Sequence, residues 1–357
     1  MNVISASMLL LGAVAIPHIA FAAQTSGTRF EHKDWQLVCD NTGTCRAAGY
    51  QAEDEKPAVS LMLVRSAGAR QDVTGQVQLG SYEESDSALS EGVSELAISA
   101  NGRRIGEASY TESDAFTVPR AALPALMAAL QQSSGVTFSS GKKAWKLSTT
   151  GASAVLLKMD EVQGRIGTVG AIVRKGTRSE EGVPKPVPAP VIIAAPVSKD
   201  SKEVVLAPVQ RIALLKELRR VTSAEDCSGL HGALSDQQEP ELALHRLSAT
   251  RLVASVGCEL GAYNESSRFW VINAAPPFAP VIAADYASDY EDGEITSAHK
   301  GRGLGDCWSA HAWTWDGTRF VKTGASTSGM CRLVAAGGAW SLPTYVATVR
   351  KPGAKAR

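Results

Sequence analysis

The sequence predicts an α+β protein of two β-rich domains, each with mostly antiparallel sheets and one or two helices, stapled by disulfides. Glycine is frequent, with 32 among 357 residues, and together with Ser and Thr it favours short strands joined by turns over long helices. A proline-rich stretch divides the chain into two parts of ordinary domain size. The six cysteines are an even number, as a disulfide framework requires.

The first residues have the pattern of a signal peptide. An apolar run extends from Met8 to Ile16, and the small residues Ala20 and Ala22 stand where a signal peptidase accepts them. We therefore expect residues 1–22 to be removed. No later stretch reaches the roughly 20 apolar residues that span a bilayer, so we expect no transmembrane segment after cleavage. The sequence predicts a soluble periplasmic or secreted protein of a Gram-negative bacterium.

Export implies an oxidising compartment, in which cysteines form disulfides. Sequential pairing is the simplest arrangement, and it joins these residues: Cys39 with Cys45, Cys227 with Cys258, and Cys307 with Cys331. The first two cysteines flank "DNTGT", whose residues favour turns. A zinc site is the competing interpretation, but the sequence has no C-x-x-C pair and no histidine at finger spacing, so we expect no bound metal.

The domain boundary is predicted from proline. Residues 181–208 carry prolines at positions 184, 186, 188, 190, 196 and 208. Proline fixes φ and has no N–H to donate, so this segment should be an extended polyproline-like linker. It separates an N-terminal β-rich domain at 28–180 from a C-terminal α+β domain at 209–351.

In the N-terminal domain, strands are predicted at "DWQLVC", "AVSLMLVR" and "GQVQLGS". The apolar spacing in "FTVPRAALPALMAALQQSSG" predicts a helix that begins or is kinked at Pro124. A second helix is predicted in "GASAVLLKMDEVQGR", where Gly164 ends it. Its charged residues are expected on a solvated face: Lys158, Asp160, Glu161 and Arg165.

In the C-terminal domain, "VQRIALLKELRRV" predicts a helix, with two arginines at the end where the helix dipole favours positive charge. Strands follow at "RLVASVGCEL", "RFWVINA", "AHAWTW" and "YVATVRK". Asp316 and Gly317, between apolar runs, predict a hairpin turn. The 36 basic and 36 acidic residues cancel, so the chain has no electrostatic footprint for nucleic acid.

Two short motifs resemble nucleotide or penicillin sites but lack the required context. The stretch "GRGLGDCW" at 301–308 has the glycines of a phosphate-binding loop, yet a strand pattern follows where a helix N-terminus is needed. "SSGK" at 139–142 and "KTG" at 322–324 match penicillin-recognising motifs, but "SSGK" lies between strand patterns instead of opening a helix. We therefore predict no cofactor.

Two further interpretations use residues near the glycine-rich stretch. Cys307 could act as a nucleophile with His311 or His299, but a disulfide to Cys331 is the simpler expectation. The acidic stretch 285–306 could bind calcium, although Ser288 and other residues occupy positions where the calcium-loop pattern needs acids. A solvated acidic loop is the simpler alternative.

Five of the seven tryptophans lie in the C-terminal domain. Trp313 and Trp315 should share one strand face, and Trp308 should lie on the other face unless a bulge intervenes. Such a stripe is commonly core, but the polar residues beside it make this region the preferred contact surface. The candidate binding residues are Arg302, Asp306, Trp308, His311, Trp313 and Trp315.

Three segments carry a resemblance: "FEHKDWQLVCDNTGTCRAAGY", "MDEVQGRIGTVGAIVRKG" and "KGRGLGDCW". Through them, nearly the whole mature chain resembles a family of exported bacterial proteins of unknown function. The first half is also distantly similar to the invasion-associated locus B family, through "DWQLVCD", the nearby second cysteine and "STTGASAVLL". These resemblances imply export and a two-part architecture, and they supply no activity.

The leading hypothesis is a non-enzymatic binding or interaction protein of the bacterial envelope, whose partner is an envelope protein or a glycan. The aromatic and glycine-rich region of the C-terminal domain would be its contact surface. The alternative is a cell-envelope hydrolase, or an inhibitor of one, that uses the loop at 285–311. The enzyme requires perturbed carboxylates or a free thiol in that loop.

Overall fold

The computed structural model describes residues 27–111, 115–132, 135–198, 204–232 and 240–351. The predicted signal peptide, residues 1–22, lies outside the described residues. Within them the chain forms 21 strands and four α-helices, and nearly all strand pairs are antiparallel. The mostly antiparallel α+β class predicted from the sequence is therefore confirmed. None of the described helices is long and apolar enough to cross a membrane.

The first part of the chain forms a ten-stranded antiparallel sheet with the order β1-β2-β3-β4-β5-β8-β7-β6-β9-β10. Its strands are β1 (Thr28–His32), β2 (Trp35–Cys39), β3 (Cys45–Tyr50), β4 (Val59–Arg65), β5 (Thr74–Leu79), β6 (Glu95–Ala100), β7 (Arg103–Thr111), β8 (Ala115–Val118), β9 (Val136–Ser140) and β10 (Lys143–Leu147). The strands predicted from apolar runs are confirmed as β2, β4 and β5. The "DNTGT" turn joins β2 to β3, and a disulfide links its two ends.

Three helices belong to this part of the chain: α1 (Glu84–Ser90), α2 (Leu123–Gln131) and α3 (Ala152–Val162). Pro124 lies in the first turn of α2, so the helix begins there and has no internal kink. Gly164 follows α3 with a φ of +67°, a conformation that glycine adopts without strain. The apolar faces of α2 and α3 pack on one face of the sheet, around the buried Trp35 and Trp145.

One prediction for α3 is wrong. Asp160 has no exposed surface, and Arg165, just beyond the helix, is 1% exposed. Both were expected on a solvated face because charged side chains normally lie in water. Each instead has a buried partner of opposite charge, Arg65 for Asp160 and Glu180 for Arg165.

The proline-rich segment is extended, and it is bonded to the rest of the molecule. Its strand β11 (Val191–Ile193) pairs in parallel with β21 (Thr348–Arg350) near the end of the chain. The N–H of Val187 donates to the carbonyl of Thr42, and the N–H of Ala195 donates to that of Trp315. The segment thus contacts residues on both sides of it in sequence.

The second part contains α4 (Pro208–Val221) and two sheets. Their strands are β12 (Leu242–Arg246), β13 (Arg251–Leu260), β14 (Glu265–Asn273) and β15 (Val281–Ala287) in one, and β16 (Asp289–Glu291), β17 (Glu294–Lys300), β18 (Trp308–Trp315), β19 (Phe320–Thr327) and β20 (Leu342–Val346) in the other. One apolar core lies under α4, and a second lies between the two sheets. The predicted hairpin at Asp316 and Gly317 joins β18 to β19. All three predicted disulfides are present.

A further apolar cluster joins the two parts of the chain. On the face of the first sheet opposite α2 and α3, Val38 and Met62 pack with Val334 and Leu342. Trp340 Nε1 donates a hydrogen bond to the hydroxyl of a serine on β4 at 2.7 Å. The first sheet is therefore buried on both faces at β2–β4, and the division into two independent domains stays a prediction.

Candidate functional site

The glycine-rich stretch forms the turn between β17 and β18. The N–H of Gly301 donates to the carbonyl of Cys307 at 2.8 Å, and that of Gly305 donates to Arg302 at 3.0 Å. A Cβ on Gly301 would lie 2.7 Å from the Cys307 sulfur, so only glycine fits there. Because β18 follows and no helix begins here, the stretch lacks the helix N-terminus that a phosphate-binding loop needs.

Arg302 and Asp306 bind each other within this turn. The carboxylate of Asp306 accepts two hydrogen bonds from the Arg302 guanidinium, at 2.7 and 2.6 Å, and one from the N–H of Leu333 at 2.8 Å. Burial alone would raise the pKa of Asp306, but Arg302 and the Leu333 N–H outweigh it and hold that pKa below its ordinary value. The pair connects the turn to Cys331 and Leu333, since Arg302 also donates to the carbonyl of Cys331 at 3.2 Å.

The aromatic candidates occupy three environments. Trp315 is 2% exposed and belongs to the core between the two sheets, so we leave it out of the candidate surface. Trp313 is half-buried at the edge of the same core, and its ring lies 5.8 Å from the His311 ring. Trp308 donates from Nε1 to the carbonyl of Gly305 at 2.8 Å. The structure brings together His311 with Trp313, and it does not bring all six candidates onto one surface; their binding of a partner stays a prediction.

The residues of the loop at 285–311, all of which the structure describes, are largely committed to structural contacts. Cys307 is oxidised in the disulfide with Cys331, so neither sulfur is a free thiolate or a metal ligand. Asp285 pairs with Arg268 at 2.7 Å. No hydrogen bond or ion pair in this loop joins a histidine to a carboxylate, and His299 instead contacts Ser297 and a backbone carbonyl. The proposed Cys-His nucleophile is therefore excluded.

Two buried ion pairs in the first part of the chain were missed by sequence reasoning. The first is formed by Arg65, at the end of β4, and Asp160 of α3, whose atoms Nη2 and Oδ1 are 2.7 Å apart. Arg65 also donates to Gln163 Oε1 at 2.6 Å and to the carbonyl of Gly170 at 3.2 Å. Desolvation lowers the pKa of Arg65, although Asp160 opposes this shift.

The second pair joins Arg165 to Glu180, and both side chains are buried. Glu180 also accepts a hydrogen bond from the N–H of Arg70 at 2.6 Å, and Arg165 donates to the carbonyl of Gly68. Burial would raise the pKa of Glu180, but the Arg70 N–H and the Arg165 guanidinium hold it below its ordinary value. This pair fixes the segment 165–180 against the loop that follows β4.

These pairs form one side of a large cleft, which we call the basic cleft. Its volume is about 1140 Å³. The basic cleft is lined by these charged side chains: Arg65, Arg70, Arg120, Arg174, Lys175, Asp72 and Glu180. Apolar side chains from α2, including Pro124 and Met127, and Ile172 and Val173 complete the wall.

The basic cleft is lined by more basic than acidic residues. Arg120 pairs with Asp72 at 2.7 Å, and Glu180 forms its ion pair with Arg165. In the described part of the chain no carboxylate pairs with Arg70, Arg174 or Lys175, and all three residues are exposed. The basic cleft therefore has a net surplus of positive charge facing solvent.

The sequence contained a weak signal for this cleft. The segment "MDEVQGRIGTVGAIVRKG" places Asp160 and Arg165 beside apolar residues, and Arg65 ends the apolar run "AVSLMLVR". A charged residue at a position where the pattern predicts burial requires a buried partner. The partners lie 95 residues apart for Arg65 and Asp160, so the pairing itself could not be inferred.

Comparison with known proteins identifies a family and no activity. A model of the family described as "Protein of unknown function (DUF1176)" matches residues 29–347, and the chain therefore belongs to this family. The uncharacterized protein YpfG of Escherichia coli strain K12 is 26% identical over 314 residues, which cover 80% of this chain and 84% of YpfG. No solved structure matches the chain. The resemblance to the invasion-associated locus B family is not shown by these comparisons.

Proposed function

We propose that this member of the DUF1176 family is an extracytoplasmic binding protein that holds an anionic ligand in the basic cleft. One observation carries the proposal: Arg70, Arg174 and Lys175 face a cleft of about 1140 Å³ and have no acidic partner in the described chain. Concave sites in which a few polar groups converge are the usual places for small-molecule ligands.

The surplus charge of the basic cleft is local. The whole chain has 36 basic and 36 acidic residues, so the cations of the cleft do not reflect a generally basic protein. Charge of one sign in a concave site concentrates ligands of the opposite sign. Arginine also forms two parallel hydrogen bonds with phosphate or carboxylate, which gives orientation as well as attraction.

The wall of the basic cleft indicates a second property of the ligand. Pro124 and Met127 of α2 line the cleft together with Ile172 and Val173, so it has apolar surface as well as cations. A ligand with an anionic group and an apolar part would cover both. Amphiphiles of this kind are components of bacterial envelopes, and the three disulfides support the extracytoplasmic location that this proposal requires.

The buried ion pairs support the proposal by holding the cleft in shape. The second oxygen of Asp160 accepts hydrogen bonds from the N–H groups of Ile172 and Val173, at 2.7 and 2.9 Å. The wall beside Arg174 is thus fixed before a ligand arrives. Such preorganisation reduces the entropy cost of binding.

The test uses the chain without residues 1–22 and dodecyl phosphate as the probe, below its critical micelle concentration, in isothermal titration calorimetry. We expect binding that is more than about tenfold weaker after Arg174→Glu combined with Lys175→Glu, because repulsion replaces two ionic contacts. Lys142→Glu is the control for a change of charge at one site outside the basic cleft, since Lys142 lies on an exposed turn.

Two companion probes separate the contributions of charge and apolar surface. Inorganic phosphate should bind more weakly than dodecyl phosphate, and dodecyl maltoside, which is uncharged, should bind more weakly still. Equal affinity of the cleft and control variants for dodecyl phosphate, or equal affinity of the wild type for both dodecyl compounds, would contradict the proposal.

A further inference from the structure

A second group of donors lies on the five-stranded sheet, away from the basic cleft. His311 on β18 pairs across the sheet with Ala325 on β19, and Ala325 pairs with Tyr345 on β20. Directly paired residues of antiparallel strands point to the same face. Neighbouring strands are about 4.8 Å apart, so the two large side chains stand about 10 Å apart with a methyl group between them. The buried methyl group of Ala325 separates them.

Two cations lie beside this row of side chains. Lys322 of β19 places its Nζ atom 5.9 Å from the centre of the Tyr345 ring. The N–H of Gly27 donates to the carbonyl of Thr344 at 3.0 Å, which brings the start of β1 beside β20. Arg29, two residues further along β1, is exposed and acts electrostatically on both His311 and Lys322. We call His311, Lys322, Tyr345 and Arg29 the donor cluster.

Two buried atoms of the donor cluster have no hydrogen-bond partner in the described chain. They are the hydroxyl oxygen of Tyr345, a residue that is 4% exposed, and Nδ1 of His311. Buried polar atoms in folded proteins nearly always have a partner. A tyrosine hydroxyl, an ammonium and a guanidinium all donate, and an imidazole Nδ1 donates when it carries a proton. No group of the described chain forms a hydrogen bond with either buried atom.

The charges that face these groups have one sign. Burial lowers the pKa of His311, and Lys322, Arg29 and His299 lower it further. Burial and Arg29 also lower the pKa of Lys322. No carboxylate of the described chain acts on either group to oppose these shifts. An anion between them would relieve the repulsion and give the two buried atoms a hydrogen-bond partner.

We propose that the donor cluster binds one oxyanion, the phosphate or carboxylate group of a small ligand, through Lys322, Tyr345 and His311. Arg29 is exposed beside them, and its guanidinium attracts the anion. This site is separate from the basic cleft, since none of its residues lines that cleft.

The test is a nuclear magnetic resonance titration of the His311 ring in the chain without residues 1–22. Inorganic phosphate, acetate and glucose 6-phosphate are the probes. The proposal predicts that phosphate raises the pKa of His311 and shifts the Nδ1 signal. A stronger effect of glucose 6-phosphate than of inorganic phosphate would identify a sugar phosphate as the source of the group, and a stronger effect of acetate would identify a carboxylate.

Variants locate the anion. Lys322→Met should weaken phosphate binding about tenfold, because it removes a charge-assisted hydrogen bond, and Tyr345→Phe should weaken it several-fold. Lys300→Met is the matched control: Lys300 lies on a neighbouring strand with its ammonium over the Trp308 ring, 5.5 Å from the ring centre. Arg174→Glu, in the basic cleft, should leave the His311 response unchanged.

Two results would overturn the proposal. One is a His311 pKa that none of the three probes changes at tens of millimolar, a measurement on the wild type that needs no variant to fold. The other is equal phosphate affinity of Lys322→Met and Lys300→Met, which would place the anion elsewhere on the protein.

Discussion

The ion pair Arg65–Asp160 and the ion pair Arg302–Asp306 contrast in range and in burial. The first joins residues 95 apart in sequence, and neither side chain is more than 1% exposed. The second joins residues four apart, and the Arg302 side chain is 40% exposed. The distant pair positions the wall of the basic cleft, whereas the local pair fixes one turn. The most conspicuous motif of this sequence thus forms a turn held by its own residues, whereas the basic cleft is built by residues that share no local motif.

The largest expected effect is on the distant pair. Asp160→Asn should lower the free energy of unfolding by about 3 kcal/mol or more, because it leaves the buried Arg65 charge without a counter-charge. Urea denaturation followed by circular dichroism measures this loss. Asp72→Asn is the matched control: its pair with Arg120 is exposed, and the expected loss is below about 1 kcal/mol. Equal losses in the two variants would show that burial does not distinguish the pairs.

A smaller effect is expected at the local pair. Asp306→Asn should cost about 1 to 2 kcal/mol, because the partly exposed Arg302 can turn to water while the Leu333 N–H loses a charged acceptor. Faster hydrogen exchange of the Leu333 amide should accompany the loss. If Asp306→Asn destabilised the protein more than Asp160→Asn, the order of the two pairs proposed here would be wrong.

The stability of the protein should depend on pH through a different residue in each half of the chain. In the first half that residue is Glu180. Its pKa in the folded protein is below the ordinary value of 4.5, so the unfolded chain takes up a proton first as the pH falls. The stabilisation by ionised Glu180 is fully present above pH 4.5 and is lost as the pH falls through the folded pKa. Glu180→Gln should flatten the stability profile in that acid range, and an unchanged slope would contradict the assignment.

The smallest effect is expected at His311. Its folded pKa lies below 6.5, so the unfolded chain again binds the proton first, and stability falls as the pH drops from 6.5 through the folded pKa. His311→Gln should remove this loss, which we expect to be below about 1 kcal/mol because the ring is half-buried. The measurement belongs in a phosphate-free buffer. If His311 instead stabilised the protein more as the pH fell in such a buffer, the cationic surroundings described above would be contradicted.

Features that depend on neighbouring residues were predictable from the sequence. The turn between Cys39 and Cys45, the start of α2 at Pro124 and the hairpin at Asp316 are all encoded within a few residues, and each is confirmed. Sequential pairing of the cysteines also held, because each pair closes a short span.

Features that depend on distant residues were not predictable. The helical period of α3 could not show that Asp160 faces Arg65, since the ladder of strands between them determines that contact. Alternation along β18 could not separate Trp315 in the core from Trp308 at the turn, because both faces of the strand are partly covered. A bulge between Ala312 and Trp313 further changes the register with β19.

The packing of Val334 and Leu342 on the first sheet has a consequence for the order in which the protein folds. During synthesis from the N-terminus, the strands that contain Val38 and Met62 are made long before the segment that covers them. That apolar face stays open to other chains until nearly the whole polypeptide is available. A fragment that ends in the proline-rich segment would keep the basic cleft and its ion pairs, and it would aggregate through the face that residues 330–342 normally cover.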